Sequence, residues 1–136
     1  MKKELRLKNQ VEELARVNQF NDEIGDELGL DAELRMNLNL VMEEMVSNVI
    51  FYAYPEGKVA DIELMAESDG KELTFTLSDQ GIEFDPTTRE DTNLDANPME
   101  RDIGGMGICI VKSIMNEVTY QRLGDRNLLT MKKNIE

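Results

Sequence analysis

The sequence predicts an α+β domain: a two-layer α/β sandwich in which a mixed, mostly antiparallel sheet packs on helices. Three observations carry that expectation. Two long stretches before residue 55 repeat apolar residues at spacings of three and four, whereas the middle and end of the chain alternate with period two. Turn signals at residues 68–71 and 124–125 join consecutive strand patterns as hairpins. The patterns run in the order β-α-α-β-β-loop-α-β-β, so helices and strands segregate instead of alternating strictly.

Each element has a local reason. Glu4 to Lys8 alternates charged and apolar residues, with Leu5 and Leu7 on one side, as a short edge strand does. Asn9 with Glu12 three residues on is a variant capping box. Val11, Leu14, Val17, Phe20, Ile24 and Leu28 then form one helical face, which Gly29 stops. Asp31 caps a second helix whose apolar face uses Leu34, Leu38, Val41, Met45, Val49 and Tyr52, with Pro55 and Gly57 ending it. Ile62 and Leu64 mark a strand. Leu73, Phe75 and Leu77 mark the next, after the Ser68-Asp69-Gly70-Lys71 turn. Gly104 to Gly107 leads into a third helix with Ile108, Val111, Ile114 and Met115 inward. Val118 to Leu123 and Asn127 to Lys133 close the chain as a hairpin around Gly124-Asp125.

Size and composition bound the function. The 136 residues suit a single domain, residues 1–136, able to bury one core without disulfide or metal staples. With no histidine, Ser-His-Asp and Cys-His hydrolases, His-ligated zinc and autophosphorylation on histidine are excluded. The single cysteine, Cys109, excludes an internal disulfide; it lies on the apolar third helix and is expected to be buried and inert. The net charge of −13 repels nucleic-acid phosphates and anionic lipid, so neither nucleic acid nor membrane is expected as a partner. The basic start Met1-Lys2-Lys3 leads into charge and not into a hydrophobic signal core, and no apolar run is long enough to span a bilayer, which suggests a cytoplasmic location.

Three clusters carry chemistry. Glu44 and Asn48 lie four apart on the second helix, on one face of a strongly apolar stretch. An amide buried there needs a partner; its oxygen suits Mg²⁺, and a nearby carboxylate suits deprotonation of a nucleophile. The plainer alternative is a solvated Glu with an Asn bonded to backbone. Ser78-Asp79-Gln80-Gly81 leaves an apolar strand. A turn-forming Asp is the commoner reading. The functional one has Asp79 accept from the exocyclic amine of adenine, with Gly81 letting backbone lie close to the base. Gly104-Gly105-Met106-Gly107-Ile108 opens the third helix and exposes backbone N–H groups to an anion. It has neither P-loop nor dinucleotide-fingerprint spacing. Lys112, one turn on, adds a cation near phosphate or is simply an exposed helix lysine. Between the last two clusters, residues 79–102 hold eight acids and two arginines, net −6, in a stretch of little periodicity. So long an irregular segment reads as a lid or binding loop, at about residues 82–103.

Together the clusters resemble the GHKL, or Bergerat, ATP-binding fold shared by DNA gyrase, histidine kinases and MutL. The family's N box, an acid four residues before an Asn, matches Glu44 and Asn48. Its DxG box matches Asp79-Gln80-Gly81, and its GxG box matches Gly105-Met106-Gly107. Each motif alone is common; the three in order, on the expected elements, are specific. Within that superfamily the chain is most similar to the bacterial anti-sigma-factor serine/threonine kinases. The similar stretches are Glu44 to Ile50 with Ala53-Tyr54, Phe84-Asp85-Pro86, and Gly104 to Ile108 through Met115 to Val118.

The resemblance implies ATP with Mg²⁺. Asn48 would hold the metal and Glu44 would act as general base toward a serine or threonine hydroxyl. Asp79 and Gly81 would hold adenine, and Gly105 and Gly107 would contact phosphates under the lid. It further implies a protein substrate, an anti-sigma antagonist, with a sigma factor as the competing partner in partner switching. By analogy it implies a homodimer, for which the Leu5/Leu7 strand and the apolar face of the first helix offer surface, although most of that face is needed by the core. The chain departs from the pattern where many relatives carry His, at Tyr52, and where some carry a late Gly-Thr, at Arg126-Asn127. Asn127 there would offer a hydrogen bond toward the base. An alternative is a nucleotide-gated protein-binding module of the same fold with little phosphotransfer; a structural domain without ligand would require three coincidences.

Overall fold

The computed structural model describes residues 1–88 and 105–136. Strands β1 (Lys2–Lys8), β2 (Asp61–Ser68), β3 (Glu72–Asp79), β4 (Glu117–Leu123) and β5 (Arg126–Asn134) form one five-stranded sheet in the order β1-β2-β3-β5-β4. All four pairings are antiparallel, so the sheet is a simpler version of the mixed one expected. Helices α1 (Leu14–Leu28), α2 (Ala32–Asn48) and α3 (Gly105–Ile114) belong to the second layer, in the expected order. Among the described residues no helix is long and apolar enough to cross a membrane.

Period-two alternation decides which face is covered. Leu73, Phe75 and Leu77 of β3 are buried, and so are Ile62, Leu64 and Ala66 of β2 and Leu129 and Met131 of β5. They meet Val17, Phe20 and Ile24 of α1, Val41, Met42, Met45 and Val46 of α2, and Ile108 and Val111 of α3. Phe75 is the largest fully buried side chain; truncating such a residue to Ala costs about 3–5 kcal/mol. Leu7 of β1 and Val17, Phe20 and Ile24 of α1 are spent on this core, the use the sequence analysis expected for most of that face. In-register pairs on the outer face, Lys8–Asp61 at 2.6 Å and Arg6–Glu63 at 3.0 Å, tie the edge strand β1 to β2.

Helix ends follow local chemistry with one exception. Asp31 accepts from the Leu34 N–H at 2.8 Å, the cap expected of it. Gly29 ends α1 in the left-handed region at φ 65°. Arg35 reaches back to the Gly25 and Leu30 carbonyls, each at 2.8 Å, and so satisfies the end of α1. The capping box at Asn9 does not form. The Asn9 side chain instead donates to Lys58 O at 2.7 Å and accepts from Ala60 N at 2.8 Å, docking the loop before β2. A short 3₁₀ turn, Val11–Glu13, starts the helix in its place.

The second helix does not simply run on to Pro55. At Asn48 it changes to a five-residue π-helix, Val49–Ala53, and Tyr54 leaves it in extended conformation. Widened turns of this kind are frequent at functional sites. Here the carbonyl of Ala53 is directed to another partner, the N–H of Ile82, at 2.9 Å. Cys109 is half-buried, more exposed than expected.

Candidate nucleotide site

Asp79 is the last residue of β3. Its parity with Leu73, Phe75 and Leu77 turns it toward the helices, where it is 4% exposed. Its Oδ1 accepts from the Gly81 N–H at 2.8 Å and from Asn127 Nδ2 at 3.0 Å. Asn127 stands opposite Asp79 in the β3–β5 register, so the sheet itself brings the two side chains together. The Asn127 amide is fully engaged. Nδ2 also donates to Ile82 O at 2.7 Å, while Oδ1 accepts from Tyr120 Oη at 2.5 Å, Arg122 at 3.2 Å and the Phe84 N–H at 3.3 Å. Both amide hydrogens are taken within the protein, by Asp79 and by the Ile82 carbonyl, so Asn127 ties the turn to β5 through Asp79.

The turn is packed from the helix side. A Cβ at Gly81 would lie 2.6 Å from that of Ala53 and would collide with the Ala53 carbonyl. Gly81 therefore admits the end of the π-helix, a close approach within the protein. Tyr54 adds a second clamp: its Oη accepts the Gln80 N–H at 2.8 Å. Burial, with the Asp79 charge adding to it, raises the Tyr54 phenol above its ordinary 10.0 and keeps it neutral.

Asn48 ends α2, 5% exposed, and its Nδ2 has no hydrogen-bond partner among the described residues. An orphan buried amide of this kind costs about 1–3 kcal/mol, so its survival calls for an explanation. Asn48 and Asp79 line the same small cavity of about 30 Å³, together with Met45, Val49, Ala53, Leu77, Phe84 and Asn127. Its walls are apolar apart from the buried Asp79 carboxylate and the Asn48 and Asn127 amides. A larger cavity, about 330 Å³, lies on the outer sheet face. There Arg126 bonds Ser78 Oγ at 2.8 Å and Glu63 at 3.0 Å, and Arg6 bonds Glu63 at 3.0 Å. Those groups satisfy one another on the face opposite Asp79, so of the second cluster only Ser78 turns to this side.

Glu44 and Gly107 meet one helical turn before Asn48. Glu44 is half-buried on α2, and Gly107 is buried in the first turn of α3, which Gly105 opens. A Cβ at Gly107 would lie 2.5 Å from Glu44 Oε2. The three motifs, distant in sequence, thus converge on one region: Asn48 with Asp79 across the cavity, and Glu44 with Gly107 at the mouth of α3. Most of the expected lid, residues 89–103, lies outside the described residues. Its first turn, Pro86–Thr88, is capped by Asp85 and tied to α3 by Lys112, whose Nζ donates to Thr87 O at 3.0 Å. Lys112 thus has a structural partner here. Tyr52, the position where relatives carry His, stacks on Phe84 with ring centroids 6.4 Å apart. Tyr54, Tyr120 and Arg122 were not assigned roles from the sequence. No periodicity marks them; only Ala53-Tyr54 and Phe84-Asp85-Pro86 stood out, through the resemblance.

This arrangement is that of a nucleotide-binding ATPase domain. Residues 7–133 match the model of the histidine kinase-like ATPase domain, and the chain belongs to that family. Among individual proteins, it is 29% identical over 100 residues to the serine/threonine-protein kinase BtrW of Bordetella bronchiseptica, covering 74% of this chain and 70% of that one. The fold matches the histidine kinase domain of the Erythrobacter litoralis EL346 blue-light activated histidine kinase, with a TM-score of 0.57 at 16% identity. That match covers 90% of this chain and 60% of the other. It also matches the Acinetobacter baumannii histidine kinase AdeS, with a TM-score of 0.54 at 14% identity, over 97% of this chain and 68% of the other.

Proposed function

We propose that the chain is an ATP-dependent protein serine/threonine kinase of the anti-sigma-factor type. The observation that carries this reading is the convergence of Glu44, Asn48 and Asp79 on one site, with the acid and the amide on a single helix face. Glu44 precedes Asn48 by about 40° of helix rotation, whereas its neighbour Glu43 is about 140° away, so Glu44 is the acid that shares the site. Adenine would enter the cavity, with its exocyclic amine toward Asp79. The Asn48 amide would hold Mg²⁺, which supplies charge neutralisation at the phosphates. In the transfer, a serine or threonine hydroxyl oxygen bonds to the γ-phosphorus. The bond from that phosphorus to the β,γ-bridging oxygen breaks, and ADP leaves with the electron pair. The hydroxyl proton passes to the Glu44 carboxylate.

Similarity to the Bordetella bronchiseptica protein, a serine/threonine-protein kinase, supports a hydroxyl acceptor. The absence of histidine supports transfer to another protein over autophosphorylation on histidine. We infer a small cytoplasmic anti-sigma antagonist as substrate, a sigma factor as competing partner, and a homodimer as the working unit. The net charge of −13 supports protein partners over nucleic acid or membrane.

Calorimetric titration with ATP, ADP and GTP, with and without Mg²⁺, tests the site. Adenine-selective binding is expected. It should weaken in Asp79→Asn and lose its Mg²⁺ dependence in Asn48→Asp. No binding at millimolar nucleotide would overturn the reading. Transfer of γ-labelled phosphate to serine or threonine in a protein of the source cell, lost in Glu44→Gln, tests the kinase step. Binding without such transfer would favour the nucleotide-gated binding module.

A further inference from the structure

We propose that Gly107 is a positioning residue for Glu44: the space left by its missing side chain is the seat in which the Glu44 carboxylate is held. The inference rests on the reading of Glu44 as general base, and it gives Gly107 a task other than approach to phosphate.

Glycine is used at a helical position for one of two reasons, conformation or room. Conformation is not the reason here. The glycines with positive φ are Gly29, Gly57, Gly70 and Gly124, and Gly107 is not among them. It lies within α3, where alanine is the better helix former. Room is the reason. The three nearest atoms to a Cβ at residue 107 all belong to Glu44: Oε2 at 2.5 Å, Cδ at 3.3 Å and Cβ at 3.5 Å. None of the three is a backbone atom, in contrast to Gly81, where the Ala53 backbone is among the nearest. The group displaced by a methyl at 107 is therefore the end of one flexible side chain, the carboxylate itself. Glu44 leans along α2 toward the first turn of α3, as helical side chains lean toward the N-terminus of their own helix. An acid at that place also faces the positive end of the α3 dipole. The catalytic acid and the helix that carries the glycine-rich box are thus in direct contact, so an error of about 1 Å at residue 107 becomes an error in the base, of the size that costs about 100-fold in rate.

The test compares Gly107→Ala, Glu44→Gln and the double variant. The probe reaction is Mg·ATP hydrolysis, in which water stands in for the protein hydroxyl. Gly107→Ala should fold with an unchanged or higher melting temperature and bind ADP within about threefold, while kcat falls by about 100-fold at little-changed KM. In the Glu44→Gln background it should cause no further loss. A readout independent of activity is the carboxyl carbon spectrum of ¹³C-labelled glutamate. The resonance that disappears in Glu44→Gln should move in Gly107→Ala while the others stay. An unmoved resonance overturns the proposal, and so does a parallel loss of ADP affinity and rate, which would assign Gly107 to phosphate. If Gly107→Ala unfolds, pairing it with the shorter Glu44→Asp should restore the fold; failure to do so overturns the proposal as well. If the resonance moves but Glu44→Gln hydrolyses ATP at the unaltered rate, the seat stands and the general-base reading falls.

Discussion

Asp79 with Asn127 at one end of the candidate site, and Asn48 with Glu44 at the other, are polar groups set into an apolar interior, but they are supported differently. Asp79 Oδ1 has two donors, the Asn127 amide has five partners, and Gly81 and Gln80 are clamped by Ala53 and Tyr54. Asn48 keeps an orphan Nδ2, and the Glu44 carboxylate lies against Gly107. The first end is preorganised and contributes to folding. The second is left incomplete, as expected of a place that is completed by ligand. Stability and activity should therefore separate along the cavity.

The largest expected effect breaks the incomplete end. Glu44→Gln should lower phosphoryl transfer by about 10²–10⁴-fold, the usual contribution of a general base, with ADP affinity nearly unchanged. Single-turnover kinetics beside calorimetry check this; full transfer would remove Glu44 from its role. Next comes the base end. Asp79→Asn exchanges an acceptor for a donor and should weaken ATP by about 1–3 kcal/mol while leaving GTP as it was. Equal losses would count against base readout at Asp79.

Asn127→Ala should blur the two ends. It strips partners from Asp79, Ile82 and Tyr120, so chemical denaturation should show about 1–3 kcal/mol of lost stability together with reduced adenine selectivity. Tyr54→Phe should cost about 0.5–1.5 kcal/mol by freeing the Gln80 N–H. It also has a titration signature. Burial raises the Tyr54 and Tyr120 phenols above 10.0, so the folded state favours their neutral forms. Their contribution to stability is present below about pH 10 and is lost as pH rises through the raised folded values. An ultraviolet phenolate titration should lose one late-titrating group in Tyr54→Phe. The smallest effect is expected at Lys112→Met, about 0.5 kcal/mol or less, because its bond to Thr87 O is exposed.

Much of this was legible in the chain. The alternation in Leu73, Phe75 and Leu77 fixes the buried face of β3 and, by the same parity, turns Asp79 inward. The four-residue step from Glu44 to Asn48 fixes a shared helix face. Asp31 and Gly29 mark helix ends because capping is a contact between near neighbours. These are local relations, and local periodicity reports them. The bond of Asn9 to the loop before β2, the switch to a π-helix after Asn48, and the clamp of Tyr54 on Gln80 are contacts between distant segments. No local pattern encodes them.

The sequence by itself determined the class of fold and the order of its elements, since both follow from side-chain period and residue type. Only the tertiary structure decided what the residues do to one another. β3–β5 register sets Asn127 against Asp79 and occupies both of its amide hydrogens. Packing of the π-helix end makes Gly81 a steric requirement, and packing of α3 on α2 makes Gly107 the seat of Glu44. The reason is physical: close packing leaves no spare volume, so the meaning of a missing side chain is set by the neighbour that fills its space.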